Sequence, residues 1–321
     1  LERGGELGHV RETTRHSLSI RYDRWLRWLE RVEPDALDAP PEARATPERL
    51  SRWLEDMAKT RPMSRLAFID GVLRVLTAAA PDLDWTPQRR IRIVLRREAG
   101  SGDPGRKKGR VCDSGVLLEA GLRLATVDAE QATTPLEALR RRRNGTMIAF
   151  LAVMPMRRRA LAGLRLDVSL LREADTVFVD LPPELTKNGR PWSARVPDLL
   201  GPVLNDYLDF TRPALLARGG HDHALVWVGD DGRPFAVGHL GSKIAGLTQR
   251  LLGVRIPPHF FRDAAATTLV RSSPRDAQLS RALLGHAEYA TSERHYVHAQ
   301  GIEAGRDYAG VLDRLRRGDR T

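Results

Sequence analysis

The stretch 258–267, PHFFRDAAAT, decides how the rest of this chain is read. Pro258 stands where a helix can open, since the missing N–H is no loss at the first helical position. His259 and Arg262 then fall one turn apart on the same face. The pair alone carries little: a chain with nine histidines and this much arginine holds about one His-x-x-Arg by chance. Two later stretches give it company. LLGH ends at His286, and RHYVHA contains Tyr296.

Composition narrows the class. A length of 321 residues suits about two domains. A hydrophobic fraction of 41% and a mean hydropathy of −0.38 point to a soluble, folded chain. No run reaches the roughly 18 apolar residues of a membrane span, and the amino terminus lacks the apolar core of a secretory signal. The sequence opens on Leu1 rather than Met, as trimming of a short leader would leave it. Cys112 is the only cysteine, so no intramolecular disulfide can form, and a reducing, cytoplasmic setting is expected. The net charge of +11 and pI near 10.5 favour a polyanionic partner, nucleic acid above all. Only five of the 52 basic residues are lysines: Lys59, Lys107, Lys108, Lys187 and Lys243. Lysine can release a proton where arginine cannot, so a site that needs a proton donor must draw on these five.

The first hundred residues read as about four helices. LSIRYDRWLRWLE sets Leu18, Tyr22, Trp25, Leu26 and Leu29 on one face. Thr46-Pro47 and Thr86-Pro87 each pair a capping residue with proline at the first helical position. Residues 99–112 form a basic, Gly-rich linker. Its Arg106, Lys107, Lys108 and Arg110 either close over a phosphate backbone or are simply solvated. Beyond it, TPLEALRRRRNGTMIAFLAVM predicts a buried helix. TVFVDL and the segments flanking Asn188-Gly189 predict short strands, with Asn-Gly as a two-residue hairpin turn and Lys187 just before it. After Pro197 the pattern is again helical. The expected architecture is mainly α with a small antiparallel β-sheet: a helical domain over 1–98 and an α+β domain over 113–321.

With the order of its motifs, the second half resembles the tyrosine recombinase (phage integrase) family from about Thr134 to Ala299. That family's His-x-x-Arg is matched by His259 and Arg262, its Leu-Gly-His by Leu284, Gly285 and His286, and its tyrosine nucleophile by Tyr296. Its first arginine lies in a segment like G-L-R-I-S-E-L-L-G-L-R. The segment here is PMRRRALAGLR, and the offset from the closing arginine selects Arg157. Ala160 stands where the family often has an acidic buttress, so the orientation of Arg157 is left to other residues. The family's catalytic lysine, carried on a β-hairpin, is matched by Lys187.

The resemblance implies a helical core-binding domain that clamps DNA beside a catalytic domain. It implies a site-specific recombinase or integrase that cuts and rejoins strands through a 3′-phosphotyrosine. Arg157 and Arg262 would hold the nonbridging oxygens. His259 and His286 would add donors or help remove the tyrosine proton, and Lys187 would protonate the departing 5′ oxygen. No cofactor, metal or ATP is required. The implied partner is double-stranded DNA, with a homotetramer on two sites, a monomer or dimer when free, no membrane, and a cytoplasmic, nucleoid-associated setting of the kind mobile elements use. The segment GIEAGRDYAGVLDRLRR, with Tyr308, Val311, Leu312 and Leu315, either docks head-to-tail on a neighbouring protomer or packs on its own domain. Rival readings are a type IB topoisomerase or telomere resolvase, and a non-catalytic DNA-binding protein on the same fold. His295 with His298, and His221 with Asp222 and His223, lack a third metal ligand at sensible spacing. GxxxxGK[ST] and HExxH do not occur.

Overall fold

A computed structural model describes residues 6–100, 109, 112–174, 176–272 and 294–317, with side chains through Leu269 and again at 305 and 307–317. The chain forms two compact units, Leu1–Gly105 and Arg106–Thr321.

Every regular element among the described residues of the amino-terminal unit is a helix. Its main helices are α1 (Glu12–Val32), α2 (Pro47–Asp56), α3 (Pro62–Ala79) and α4 (Thr86–Ala99). Leu18, Trp25 and Leu29 are buried as the periodicity requires, and Trp28 joins them. Trp25 stacks on Trp28 with centroids 5.2 Å apart and meets Trp53 edge-on at 5.0 Å. Thr46 caps α2 by accepting the Arg49 N–H at 3.3 Å. Thr86 does not cap α4. It lies inside the helix, where its N–H donates to Asp84 at 2.9 Å. Asp84, two residues earlier, supplies the side-chain acceptor expected of the threonine.

The second unit is built around α6 (Pro135–Val153), capped by Thr134 and buried at every residue from Arg143 to Val153. Around it lie α5 (Ser114–Ala125), α7 (Arg158–Gly163), α8 (Gly201–Asp206), α9 (Arg212–Gly219), α10 (Val237–Leu252), α11 (Pro258–Ser272) and α12 (Arg294–Arg317). Helices α5 and α6 touch backbone to backbone. A Cβ on Gly145 would stand 2.3 Å from the Ala125 nitrogen, and one on Gly121 would stand 2.5 Å from the Ala149 nitrogen. Helix propensity alone makes Gly145→Ala stabilising by about 1 kcal/mol. The clash with rigid backbone reverses the sign, and we expect a net loss of about 3 kcal/mol. Urea unfolding checks this as a lower midpoint at unchanged slope.

Three antiparallel strands, β1 (Leu170–Glu173), β2 (Thr176–Leu181) and β3 (Trp192–Arg195), form one sheet in that order. Val177, Val179 and Leu181 alternate into the core. The register, Leu181 opposite Trp192 and Glu173 opposite Thr176, corrects the predicted hairpin. The two-residue connection follows Glu173 and opens on Ala174 at φ 50°. Asn188-Gly189 instead sits within the longer connection 182–191, because Pro182 and Pro183 cannot extend the ladder beyond Leu181. The carboxy-terminal segment packs on its own unit: Tyr308, Val311 and Leu312 enter the core, and Arg316 pairs with Glu119 at 2.9 Å. Their burial accounts for three of the four residues of that amphipathic face, and Leu315 stays exposed. Among the described residues no helix is long and apolar enough to cross a membrane.

Candidate active site

The site is organised by the end of α6. Pro155 lacks the N–H that would continue the helix, and Met154 before it turns extended, at φ −120° and ψ 73°. Two residues on, Arg157 occupies the cap of α7, and its carbonyl accepts the Leu161 N–H at 3.0 Å. Of the three consecutive arginines, Arg157 is partly buried, whereas Arg158 and Arg159 are exposed. The Arg158 stem lies over Gly241 of α10, where a Cβ would come within 2.6 Å of it.

Helix α11 brings the second arginine to the same place. Pro258 opens the helix, Phe260 and Phe261 anchor it in the core, and His259 stays exposed with its ring edge-on to Phe260 at 4.5 Å. The Arg262 guanidinium donates through Nη1 to the Pro155 carbonyl at 2.8 Å. Burial pushes its pKa down to about 10, the Arg157 charge pushes it the same way, and Asp263 opposes. Burial also lowers Arg157 from its ordinary value. Both remain cations at neutral pH, held close in surroundings that solvate them poorly. Such a pair gains from an anion that accepts hydrogen bonds from both forks.

Lys187 is exposed on the 182–191 connection, followed by an Asx turn in which the Asn188 side chain accepts the Arg190 N–H at 3.3 Å. Gly189 supplies the positive φ, 71°. The connection is pinned to α7, since a Cβ on Gly163 would come 2.6 Å from the Leu185 side chain. Thus Lys187 rides on a loop seated against the helix that Arg157 opens. Lys243 belongs elsewhere. Burial lowers its pKa, with Arg143 adding to the shift and Asp230 opposing.

His286 lies outside the described residues, as do Arg106, Lys107, Lys108 and Arg110 of the linker. Tyr296 falls in the first turn of α12, and its side chain lies outside the described set, as do those of His295 and His298. His223 contacts the Gly232 carbonyl at 3.1 Å and His221 contacts Arg233 at 3.4 Å, which ties both to local structure.

Arg143 and Arg212 are buried charges that the sequence does not mark, and Arg143 is the more deeply enclosed. Arg143, fully enclosed, bonds Asp230 at 2.7 Å and the Val228 carbonyl at 3.1 Å, and lies 5.1 Å from the Phe235 ring. In the run Arg140–Arg143, no local signal separates this arginine from its neighbours.

No protein-family model matches the chain, and neither does any curated protein. Solved structures do. A XerH site-specific recombinase, bound to a palindromic difH substrate in a post-cleavage complex, is similar over 95% of this chain and 79% of its own, at 14% identity and a TM-score of 0.55. A lambda integrase, residues 75–356, bound as a dimer to a COC′ core site, is similar over 89% of this chain and 93% of its own, at 16% identity and a TM-score of 0.51. The chain has the tyrosine recombinase fold. Within that fold, Arg157 and Arg262 come together at the end of α6, and the loop that carries Lys187 packs through Leu185 on Gly163, at the other end of α7 from Arg157.

Proposed function

We propose that this chain is a site-specific DNA recombinase that cuts and rejoins duplex strands through a 3′-phosphotyrosine on Tyr296, using neither metal nor ATP. The observation that carries the reading is the convergence of two poorly solvated guanidiniums, Arg157 and Arg262, in a chain of recombinase fold.

A phosphodiester resists nucleophiles because it is already anionic, and attack gathers more charge on its nonbridging oxygens. Arg157 and Arg262 offer forked donors to those oxygens in a setting of low dielectric, where each bond is worth more than in water. The Tyr296 oxygen forms the new bond to phosphorus, and its proton passes to His259, His286 or water. The bond to the 5′ oxygen breaks, and Lys187 supplies the proton that makes it a hydroxyl. Attack by the 5′ hydroxyl of another strand reverses the steps and frees the tyrosine. The phosphoryl bond is conserved throughout, so no nucleotide is consumed.

The amino-terminal unit and the linker cations Arg106, Lys107, Lys108 and Arg110 would grip the duplex backbone, with affinity falling steeply as salt rises. Four protomers on two sites would supply the four strand ends that recombination exchanges.

The experiment is covalent trapping on a nicked suicide duplex carrying the cognate site, from which the cut fragment diffuses away. An adduct on Tyr296 supports the reading. Binding without any adduct would leave a DNA-binding protein on this fold. Lys187 has its own test. Lys187→Ala will slow cleavage about 10²-fold or more. A sulfur at the bridging 5′ position will restore most of that rate, because a thiolate leaves without a proton. Equal slowing on both substrates would remove Lys187 from the proton-donor role.

A further inference from the structure

Tyr296 and Tyr308 share one helix, α12, and Tyr308 is where that helix is tied to the rest of the unit. Its hydroxyl, fully buried, donates to the Ala152 carbonyl at 2.7 Å. Ala152 belongs to the last turn of α6, where carbonyls lack partners within the helix. Three residues on, the Pro155 carbonyl takes its bond from Arg262. One helix end therefore holds both the tyrosine-bearing and the arginine-bearing helix, and then runs straight into Arg157.

A second set of bonds ties α11 to the start of α5, beside Tyr308. Thr268, buried on α11 beyond Arg262, donates its hydroxyl to the Asp113 carboxylate at 3.2 Å and accepts the Ser114 N–H at 3.0 Å. Asp113 also caps α5, taking the Gly115 N–H at 2.7 Å. The buried Ser114 hydroxyl stands beside the Tyr308 phenol without closing a well-formed hydrogen bond. Burial pushes the Tyr308 pKa up, Ser114 partly offsets this, and the Asp113 charge adds to it, so the phenol stays a donor.

We propose that this buried knot of Asp113, Ser114, Thr268, Tyr308 and the Ala152 carbonyl is a positioning device that sets the register of the Tyr296 helix against Arg262 and Arg157. The inference rests on the recombinase reading above, and none of the knot residues touches DNA in it. Apolar packing holds a helix against its neighbours but tolerates sliding between similar arrangements. Buried hydrogen bonds tolerate it far less, because a slid helix leaves polar groups without partners. The register matters because misplacing a nucleophile by 1 Å can cost about 10²-fold in rate.

The test compares Tyr308→Phe, Thr268→Val and Thr268→Ser in the full chain. It reads single-turnover cleavage of the suicide duplex at saturating DNA, DNA affinity by mobility shift, and thermal melting. We expect cleavage to fall about tenfold or more in the Phe and Val variants, and Thr268→Ser to restore it. DNA affinity should stay within about twofold. A purely structural role predicts instead that the rate returns to normal once the assay is run well below each variant's Tm, and that result overturns the proposal. So does wild-type cleavage in both variants. If Thr268→Val does not melt cooperatively, Tyr308→Phe decides alone, since it removes one oxygen and no packing volume. A wild-type chain that forms no adduct sinks the recombinase reading itself, a different failure from an adduct-forming chain indifferent to the knot.

Discussion

On the proposed recombinase reading, Tyr296→Phe is expected to abolish the covalent protein–DNA adduct and leave DNA binding intact. The aromatic ring remains and the nucleophilic oxygen is gone, so strand cleavage falls by at least about 10⁴-fold. Affinity is expected to change little, because cationic contacts with the backbone supply most of it in such complexes. The structure sharpens this expectation by elimination. The chain has five tyrosines. Tyr207 is fully buried, donates to the Val226 carbonyl at 2.8 Å and accepts the Val228 N–H at 3.2 Å. Tyr308 is spent on Ala152. Tyr22 belongs to the amino-terminal unit, where it accepts from Arg44. That leaves Tyr289 and Tyr296, and the spacing after Leu-Gly-His selects Tyr296. A denaturing gel of trapped complexes is the measurement. An adduct that survives Tyr296→Phe and disappears in Tyr289→Phe would move the nucleophile.

On the same reading, Arg157→Ala and Arg262→Ala are each expected to lower the cleavage rate about 10²- to 10³-fold at saturating DNA. The double variant should lose less than the product of the two, because on this reading the guanidiniums would share one phosphate, and their charges oppose each other without it. Arg262→Lys will not rescue. An ammonium cannot hold the Pro155 carbonyl and a phosphate oxygen in the fixed fork geometry that Arg262 uses. Arg158→Ala and Arg159→Ala serve as controls and keep the cleavage rate, since both side chains are exposed and Arg158 lies over Gly241. Single-turnover rates for the four alanine variants check the whole set. A large loss at Arg158 with little at Arg157 would reassign the first arginine.

Much of this was legible in the sequence because it depends on neighbours along the chain. Apolar spacing in α1 and alternation in TVFVDL follow from the geometry of helix and strand. Thr46 and Thr134 cap their helices as their positions imply. The order His-x-x-Arg, Leu-Gly-His, Tyr pointed to the fold before any coordinates. The misreadings were local rules overruled at a distance. Asn188-Gly189 turns no two-residue hairpin, because it lies beyond the two prolines that end β2. Asn144-Gly145 lies inside α6, as the helix read over that stretch requires, and its Gly145 admits the backbone of α5. Tyr308, Val311 and Leu312 formed an apolar stripe whose partner no periodicity could name.

Residue types, helix starts and the fold family were set by the sequence alone, because capping, periodicity and motif spacing act over a few residues. Which of three adjacent arginines is drawn inward, which of four is sealed in the core, and which carbonyl anchors the Tyr296 helix were decided only by tertiary structure. Arg262 and the Pro155 carbonyl stand 107 positions apart in the chain. Their contact is a property of packing, which can desolvate one guanidinium and leave the next in water while their sequence neighbours look the same.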